Sequence, residues 1–153
     1  MTTQAHRRLF GSVVWATDGS ASSSARCGYV RDLCERHGST LRVVHIARPH
    51  ASRDEERRIT RLKGITLALR RRGVDASLHV VRTAIGSPAR HIAEVARMVD
   101  ADLVLVTPGR RPAVTATIAG SVTVGLAAGM RCPVLVLPPP VASGAGAQRA
   151  TRR

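Results

Sequence analysis

Aromatic residues are nearly absent from this chain of 153 residues, which contains one Phe, one Trp and one Tyr. Hydrophobic residues nevertheless make up 44% of the sequence, a fraction typical of a folded domain and not of a disordered chain. The core must therefore consist mainly of Val, Leu, Ile and Ala, which favours a sheet covered by helices on both faces. The length suits one domain with a full core and is too short for two ordinary domains.

Lysine is also scarce, because Lys63 is the single lysine among 24 cationic residues, although the formal net charge is +14. Such a charge raises the hypothesis of nucleic-acid binding. A nucleic-acid module is expected to offer aromatic side chains that stack on bases, or a recognisable reading helix, and the sequence has neither. We therefore predict no specific nucleic-acid binding and only weak, non-specific attraction.

The three cysteines are too few and too far apart to form a framework of disulfide bonds. Cys27 and Cys34 lie on one predicted helix, about 10.5 Å apart along its axis, which is too far for a disulfide. Their spacing matches no common zinc site. Cys132 begins a predicted strand and is expected to be a small buried apolar residue. We predict reduced thiols in a cytoplasmic protein.

Long membrane-spanning hydrophobic runs are missing as well. The uncharged run over 113–130 contains three threonines, one serine and three glycines, so it is a poor bilayer span. Arg7 and Arg8 precede a short apolar stretch, but Asp18 and Gly19 follow it with no small-residue cleavage site, which argues against a signal peptide. We predict no membrane segment.

Short apolar runs alternate along the chain with segments of helical periodicity. The apolar runs predict five strands, at Val13–Ala16, Leu41–Ile46, Leu78–Thr83, Leu103–Val106 and Pro133–Leu137. Helices are predicted between them, over Ser22–His37, over Ser52–Arg72, after Gly86-Ser87-Pro88, and over Ile118–Ala128. This alternation predicts a five-stranded parallel sheet with right-handed crossovers.

Two of these helices have a predicted buried face. In the first helix, one face carries Ala25, Tyr29, Leu33 and Cys34. In the second helix, one face carries Ile59, Leu62, Thr66 and Leu69. The second helix also begins with the capping-box pattern Ser52-x-x-Glu55, has acidic residues in its first turn and ends in Arg70, Arg71 and Arg72. These features explain a basic, solvent-exposed helix without a ligand.

Polar residues follow the first and fourth strands, where open parallel sheets bind their ligands. The first strand is followed by Asp18-Gly19-Ser20, and the fourth by Thr107 and a loop that continues to Arg111. An Asp in such a loop can also be a simple turn residue. His45 lies at another strand end, where it could form an acid–base pair with Asp18. Because no fuller catalytic set is present, we predict no dedicated enzyme, with slow hydrolysis of a bound ligand left open.

Four segments together resemble the universal stress protein family. They are Val13 to Ser20, Gly86-Ser87-Pro88 followed by Ile92, Ala101 to Val106, and Gly120-Ser121-Val122 followed by Cys132 to Val136. The resemblance implies an adenine nucleotide alpha hydrolase-like, Rossmann-like fold with strand order 3-2-1-4-5 and helices on both faces. We expect an N-terminal extension over 1–8, the family domain over 9–139 and a disordered basic tail over 140–153.

The resemblance also implies a site for ATP or another adenine nucleotide. Asp18 would contact the ribose, Ile46 would line the base site, and the helix entry at Gly120 would hold phosphates on free backbone N–H groups. The implied site residues are Ala16, Thr17, Asp18, Ile46, Thr107, Gly109, Arg110, Gly120, Ser121 and Val122. No metal site is expected.

One motif of the ATP-binding members is displaced in this chain. Their fourth-strand loop follows Gly-x2-Gly-x9-Gly-Ser/Thr, and alignment back from Gly120 puts the first two glycine positions on Thr107 and Arg110. Gly109 is one residue out of register. The side chain of Arg110 could block the approach of phosphates or, together with Arg111, could bind them.

Two functions therefore remain open from the sequence. The first is a cytoplasmic stress-response sensor or signalling module that binds ATP or a related nucleotide. The alternative is a dimeric stress-related interaction protein that has lost nucleotide binding, in which Gly120-Ser121 only caps a helix. Both predict a homodimer, because the last strand, Pro133–Leu137, forms an apolar sheet edge that needs covering and family members often pair there.

Overall fold

The computed structural model describes residues 9–50, 52–107 and 116–138, with the backbone alone described over 116–121. Four segments lie outside the described residues: the predicted extension over 1–8, residue 51, the loop over 108–115, and 139–153 with the predicted tail. Two of the predicted site residues, Gly109 and Arg110, fall within 108–115 and therefore also lie outside the described residues.

Five strands form one parallel sheet, as the alternation of elements predicts. They are β1 (Ser12–Thr17), β2 (Thr40–Ala47), β3 (Asp75–Arg82), β4 (Leu103–Thr107) and β5 (Val134–Val136). Their order is β3-β2-β1-β4-β5, which confirms the order implied by the family resemblance. All four strand pairs are parallel.

The helices connect the strands and cover both faces of the sheet. They are α1 (Ala21–Ser24), α2 (Cys27–His37), α3 (Arg53–Arg71), α4 (Pro88–Met98) and α5 (Ala116–Gly129). Helix α4 begins as predicted, with Pro88 in its first turn and the Ser87 side chain accepting a hydrogen bond from the Arg90 N–H. Each crossover therefore buries its apolar face against the strands it connects.

The prediction of one continuous helix over Ser22–His37 is wrong, because the helix is broken between α1 and α2. The Arg26 N–H donates to the carbonyl oxygen of Ser23 at 3.1 Å, a tight turn in place of the α-helical bond. Serine hydroxyls compete locally for backbone groups and favour such turns. The break also changes the buried face: Val30 and Cys34 are buried, whereas Tyr29 is 51% exposed.

Helix α3 has the buried face that its periodicity predicts, since Ile59, Leu62, Thr66 and Leu69 are all buried. Its capping box is only half formed. The Ser52 hydroxyl accepts from the Glu55 N–H at 3.1 Å, but the Glu55 carboxylate hydrogen-bonds the ring of His45. In a capping box the Glu55 carboxylate would bond the backbone N–H of Ser52. Here it bonds His45 of β2 and so fixes the first turn of α3 to the sheet.

Alternating residues of β1 divide the core into two layers. Val13 and Trp15 pack in the layer covered by α2 and α3. Val14 and Ala16 pack in the layer covered by α4 and α5. This alternation follows from the two-residue period of a strand, and it places the helices after β1 and those after β3 and β4 on opposite faces of the sheet.

The small residues of α5 permit a close helix–helix contact. A Cβ atom built at Gly125 would lie 3.2 Å from the Ala89 Cβ of α4. This contact gives the glycine-rich sequence of α5 a packing role. Across the part of the chain that the structure describes, no helix is long and apolar enough to cross a membrane.

Candidate functional site

The candidate site is the crevice between the loop after β1 and the loop after β4. These strands are neighbours, and their last paired residues are Thr17 and Thr107. From β1 the chain runs outward to β2 and β3, then crosses to β4 and β5 on the other side. Helix α2, which follows β1, and helix α5, which follows β4, cover opposite faces of the sheet, and this arrangement opens a crevice at the carboxyl edge of a parallel sheet.

Asp18 is held in the turn that follows β1. Its Oδ1 accepts hydrogen bonds from the Ser20 N–H at 2.9 Å and from the Ser23 hydroxyl at 2.6 Å. The Ser20 hydroxyl in turn accepts from the Ser23 N–H and caps α1. This is an Asx turn continued into a helix cap, a common use of an Asp-Gly-Ser sequence.

The same contacts determine the charge state of Asp18. Burial alone would raise its pKa, but hydrogen bonds from Ser23 and Ser20 and the nearby Arg58 charge outweigh burial, so the pKa lies below the ordinary value of 3.8. The Arg58 Nη1 is 3.5 Å from Asp18 Oδ2. Asp18 is therefore a carboxylate at neutral pH, with acceptor capacity already used by its neighbours.

Two arginines of α3 donate hydrogen bonds to the backbone of the turn that contains Asp18. Arg58 Nη1 donates to the carbonyl oxygen of Asp18 at 3.1 Å, and Arg61 Nη1 donates to the carbonyl oxygen of Gly19 at 2.7 Å. Gly19 has φ of +69°, and a Cβ atom there would lie 3.0 Å from the Arg58 Cβ and 3.3 Å from the Arg58 carbonyl oxygen. Only glycine fits this turn without strain, so the turn and α3 form one unit.

The other predicted residues of β1 and β2 are mostly buried. Ala16 and Thr17 are 4% and 6% exposed, so they shape the floor of the crevice. The Thr17 hydroxyl donates to Ser23 and accepts from the Gly19 N–H. Ile46 is half-buried on the layer that α4 and α5 cover. None of these side chains has a polar group free for a ligand.

Thr107 is the last residue of β4, one residue beyond the predicted end of that strand, and its hydroxyl is engaged inside the core. The indole Nε1 of Trp15 donates to Thr107 Oγ1 at 2.5 Å, and both side chains are buried. A buried indole N–H needs such an acceptor. Thr107 therefore anchors the tryptophan in this structure, in addition to lying at the edge of the crevice.

His45 is buried beside the crevice, although it does not pair with Asp18. Its Nδ1 lies 3.0 Å from the carbonyl oxygen of Thr17, and its Nε2 contacts Glu55 Oε1. The acidic partner of His45 is therefore Glu55, whereas the sequence suggested Asp18. The ring connects the end of β1 to the first turn of α3.

The residues that the family resemblance assigns to the phosphates lie in α5. This helix begins at Ala116, two residues before the predicted start, so Gly120 and Ser121 lie at the beginning of its second turn. The N–H groups at the very start of a helix have no acceptor within it, and in α5 they include those of residues 116–118. Gly120 and Ser121 follow these residues, so their N–H groups bond within the helix and are not the free donors that the resemblance implies. Val122 is half-buried against the core.

Sequence reasoning missed Arg58, Arg61, Glu55 and Trp15 as neighbours of the site. It assigned the basic residues of α3 to solvent, because the caps and the charge distribution explained them. A usable signal was present: Arg58 and Arg61 each precede a residue of the buried face, Ile59 and Leu62, so both flank that face. Side chains that flank the buried face of α3 can reach the carboxyl ends of the neighbouring strands.

The described residues offer no metal centre, since no three His, Cys, Asp or Glu side chains among them converge. The three cysteines are free thiols. Burial raises the pKa of the Cys34 thiol to about 11, so this thiol is inert at neutral pH. The polar groups described at the carboxyl edge of β1 and β2 are Asp18 with its serines, the two α3 arginines and the His45–Glu55 pair.

Comparisons with known proteins agree with this architecture. A universal stress protein from Archaeoglobus fulgidus is 18% identical with a TM-score of 0.66, over 86% of this chain and 45% of that chain. A second structure from the same organism, in complex with dAMP, is 16% identical with a TM-score of 0.60, over 84% and 98%. A universal stress protein in complex with cAMP is 22% identical with a TM-score of 0.66, over 85% and 98%.

These likenesses establish the adenine nucleotide alpha hydrolase-like fold. A search of curated proteins gave no significant sequence match. The model of the universal stress protein family matches residues 9–138, a span that includes every described residue. The chain therefore belongs to the universal stress protein family.

Proposed function

We propose that this chain binds ATP or a related adenine nucleotide in the crevice between the Asp18 turn and the start of α5, and that it acts as a stress-response sensor or signalling module. The observation that carries the proposal is the topological switch point between β1 and β4, with an acidic turn on one side and a helix start on the other. In open parallel sheets this is where nucleotides bind.

Each end of the crevice suits a different part of the nucleotide. The carboxylate of Asp18 is an acceptor for ribose hydroxyls, and the free N–H groups at the start of α5 suit an anion. Relatives of the same family and fold are described in complex with dAMP and with cAMP, which supports the adenine class. Because no acid–base pair accompanies Asp18 among the described residues, we propose binding without fast turnover.

A second candidate is a dimeric stress-related interaction protein that has lost nucleotide binding. Two contacts favour it. Asp18 already receives hydrogen bonds from Ser20 and Ser23, and the Thr107 hydroxyl already accepts from Trp15. The displaced glycine register around Gly109 adds to this case. In this form the same turn serves only to fix α1 and α3 to the sheet.

Both candidates include a homodimer formed through the last strand. Strand β5 is at the edge of the sheet, and its Leu135 and Val136 are 38% and 37% exposed. An apolar strand edge of this kind is a template for pairing with a second copy. We place the protein in the cytoplasm, since its three cysteines are free thiols.

Calorimetric titration with ATP and with cAMP tests the proposed site. The expected result is micromolar binding of at least one of them by the native protein, and a loss of roughly a hundredfold or more for Gly120→Val, because a branched side chain obstructs the phosphates. Gly129→Val is the matched control, since Gly129 lies in the same helix with no atom within 4 Å of its Cβ position. Absence of binding by the native protein contradicts the proposal and favours the interaction protein.

A further inference from the structure

Two arginines of α3 contact the Asp18 turn, whereas a site that binds only the hydroxyl groups of a ribose requires no positive charge. Arg58 approaches both the carbonyl oxygen and the carboxylate of Asp18, at 3.1 Å and 3.5 Å. Arg61, one turn along the same helix, contacts the carbonyl oxygen of the next residue, Gly19, at 2.7 Å. Two guanidinium groups therefore contact the backbone of the turn that contains Asp18.

The nearby acidic groups do not neutralise both arginines. Asp18 balances one positive charge. Glu55 forms a hydrogen bond with His45 and, among the described residues, no ion pair with either arginine. No carboxylate among the described residues forms an ion pair with Arg61. Of the charged groups that contact the turn, Arg58 is thus paired with Asp18, and the positive charge of Arg61 is left without an acidic partner among the described residues.

The arginines also have hydrogen-bond donors to spare. A guanidinium group presents several N–H donors in a planar fork that suits a phosphate group. The contacts within the described residues use Nη1 of Arg58 and Nη1 of Arg61 and leave the other donors of each group. The Arg58 side chain is 38% exposed, so a ligand can reach it.

The acceptors of Asp18, in contrast, are largely used. Its Oδ1 already has two donors, from the Ser20 N–H and the Ser23 hydroxyl, and its Oδ2 faces Arg58. A carboxylate so occupied can accept little from the two hydroxyls of an unmodified ribose. In related dinucleotide-binding folds, an acid alone suits a free 2′-hydroxyl, whereas an arginine nearby accommodates a 2′-phosphate.

We infer that the crevice prefers an adenine nucleotide that carries a second phosphate on its ribose, at the 2′ or 3′ oxygen, and that Arg61 and Arg58 bind this phosphate. The inference rests on the proposed nucleotide site and names its ligand class. Arg61 is the main determinant, because it has no acidic partner among the described residues, while Arg58 shares its charge with Asp18. The 5′-phosphate goes to the start of α5 at the other end of the crevice.

The experiment compares calorimetric affinities for 5′-AMP, adenosine 2′,5′-bisphosphate and adenosine 3′,5′-bisphosphate. The native protein is expected to bind one bisphosphate at least roughly tenfold more tightly than 5′-AMP, the gain of one charge-assisted hydrogen bond. The better of the two bisphosphates identifies the ribose oxygen. In Arg61→Gln this preference falls to within about twofold, while Arg61→Lys keeps part of it because the charge remains.

Arg57→Gln is the matched control, because Arg57 lies on the same helix but pairs with Asp54 in solvent. It is expected to leave both affinities and their ratio unchanged. Equal binding of 5′-AMP and both bisphosphates by the native protein overturns the inference and leaves the nucleotide site standing. An equal loss for all three ligands in Arg61→Gln also overturns it, since Arg61 would then bind the 5′-phosphate. No binding of any of the three overturns the inference, and the titrations with ATP and cAMP then decide separately whether the nucleotide site stands.

Discussion

His45 and Glu55 form a hydrogen bond between the ring Nε2 and the carboxylate Oε1, which fixes β2 to the first turn of α3. The other ring nitrogen, Nδ1, lies 3.0 Å from the carbonyl oxygen of Thr17. A carbonyl oxygen only accepts, so Nδ1 is the donor in this contact. One buried side chain thus joins β1, β2 and α3 beside the crevice.

Substitution of Glu55 tests this connection. Glu55→Ala leaves the Nε2 of a buried ring without its partner, so the free energy of unfolding is expected to fall by about 1–3 kcal/mol. Glu55→Gln is the control, because its amide N–H can donate to Nε2, and the loss is expected to stay below about 1 kcal/mol. Urea unfolding measures both. Equal losses in the two variants would show that the hydrogen bond to His45 is not what Glu55 contributes.

The lowered pKa of Asp18 predicts a pH-dependent contribution to stability. Because the pKa is lower in the folded protein than the ordinary value of 3.8, the stabilisation is complete above that value and is lost as the pH falls through the folded pKa. At pH 7 Asp18→Asn is expected to lose about 1–2 kcal/mol through weakened charge-assisted hydrogen bonds. The difference from the native protein should shrink in the most acidic buffers.

Unfolding curves of the native protein and Asp18→Asn between pH 7 and strongly acidic buffers measure this effect. Asp54→Asn is the control, since Asp54 is 80% exposed and its ion pair with Arg57 is worth at most about 1 kcal/mol. A difference between Asp18→Asn and the native protein that stays constant down to the lowest pH contradicts the account of the turn.

The contact between α4 and α5 predicts a contrast between two glycines. Gly125→Leu is expected to destabilise the protein by about 1–3 kcal/mol, because its Cβ alone would lie 3.2 Å from the Ala89 Cβ and the helices must move apart. Gly129→Leu has open space around its Cβ and should change stability by no more than about 0.5 kcal/mol. Thermal unfolding of both variants decides the matter, and similar losses would contradict the close packing.

The exposed edge of β5 predicts a dimer, and a charged residue introduced into this strand is expected to disrupt it. Light scattering of the native protein is expected to give the mass of two copies, and Leu135→Arg the mass of one, because an inserted charge opposes strand pairing. Val124→Arg is the control, since Val124 is 68% exposed and belongs to α5, not to the pairing strand β5. A native protein that is monomeric at working concentration contradicts the proposed interface.

The strands could be predicted from the sequence because each is a short, β-rich apolar run bounded by turn residues. The order of the strands could not, since alternation of strands and helices predicts a parallel sheet but not which strand lies beside β1. That order came from the family resemblance. The break at Arg26 was also missed, because hydrophobic periodicity runs through a single tight turn without interruption.

Within the site, the position of Asp18 followed from the sequence, but its partners did not. Arg58 and Arg61 lie about forty residues away along the chain and reach the turn only because α3 packs across it. The same holds for Glu55, whose spacing from Ser52 predicted a capping box while its carboxylate binds His45. Local patterns place a residue at the end of a strand, whereas its contacts depend on packing between distant elements.

The central claim is that the crevice binds an adenine nucleotide, and mass spectrometry of small molecules released from the natively purified, then denatured protein tests it most directly. The account predicts release of an adenine nucleotide in an amount close to one per chain. A Gly120→Val protein purified alongside should release none, and Gly129→Val should release as much as the native protein. A native protein that releases no nucleotide and shows no binding when ATP or cAMP is added would contradict the claim.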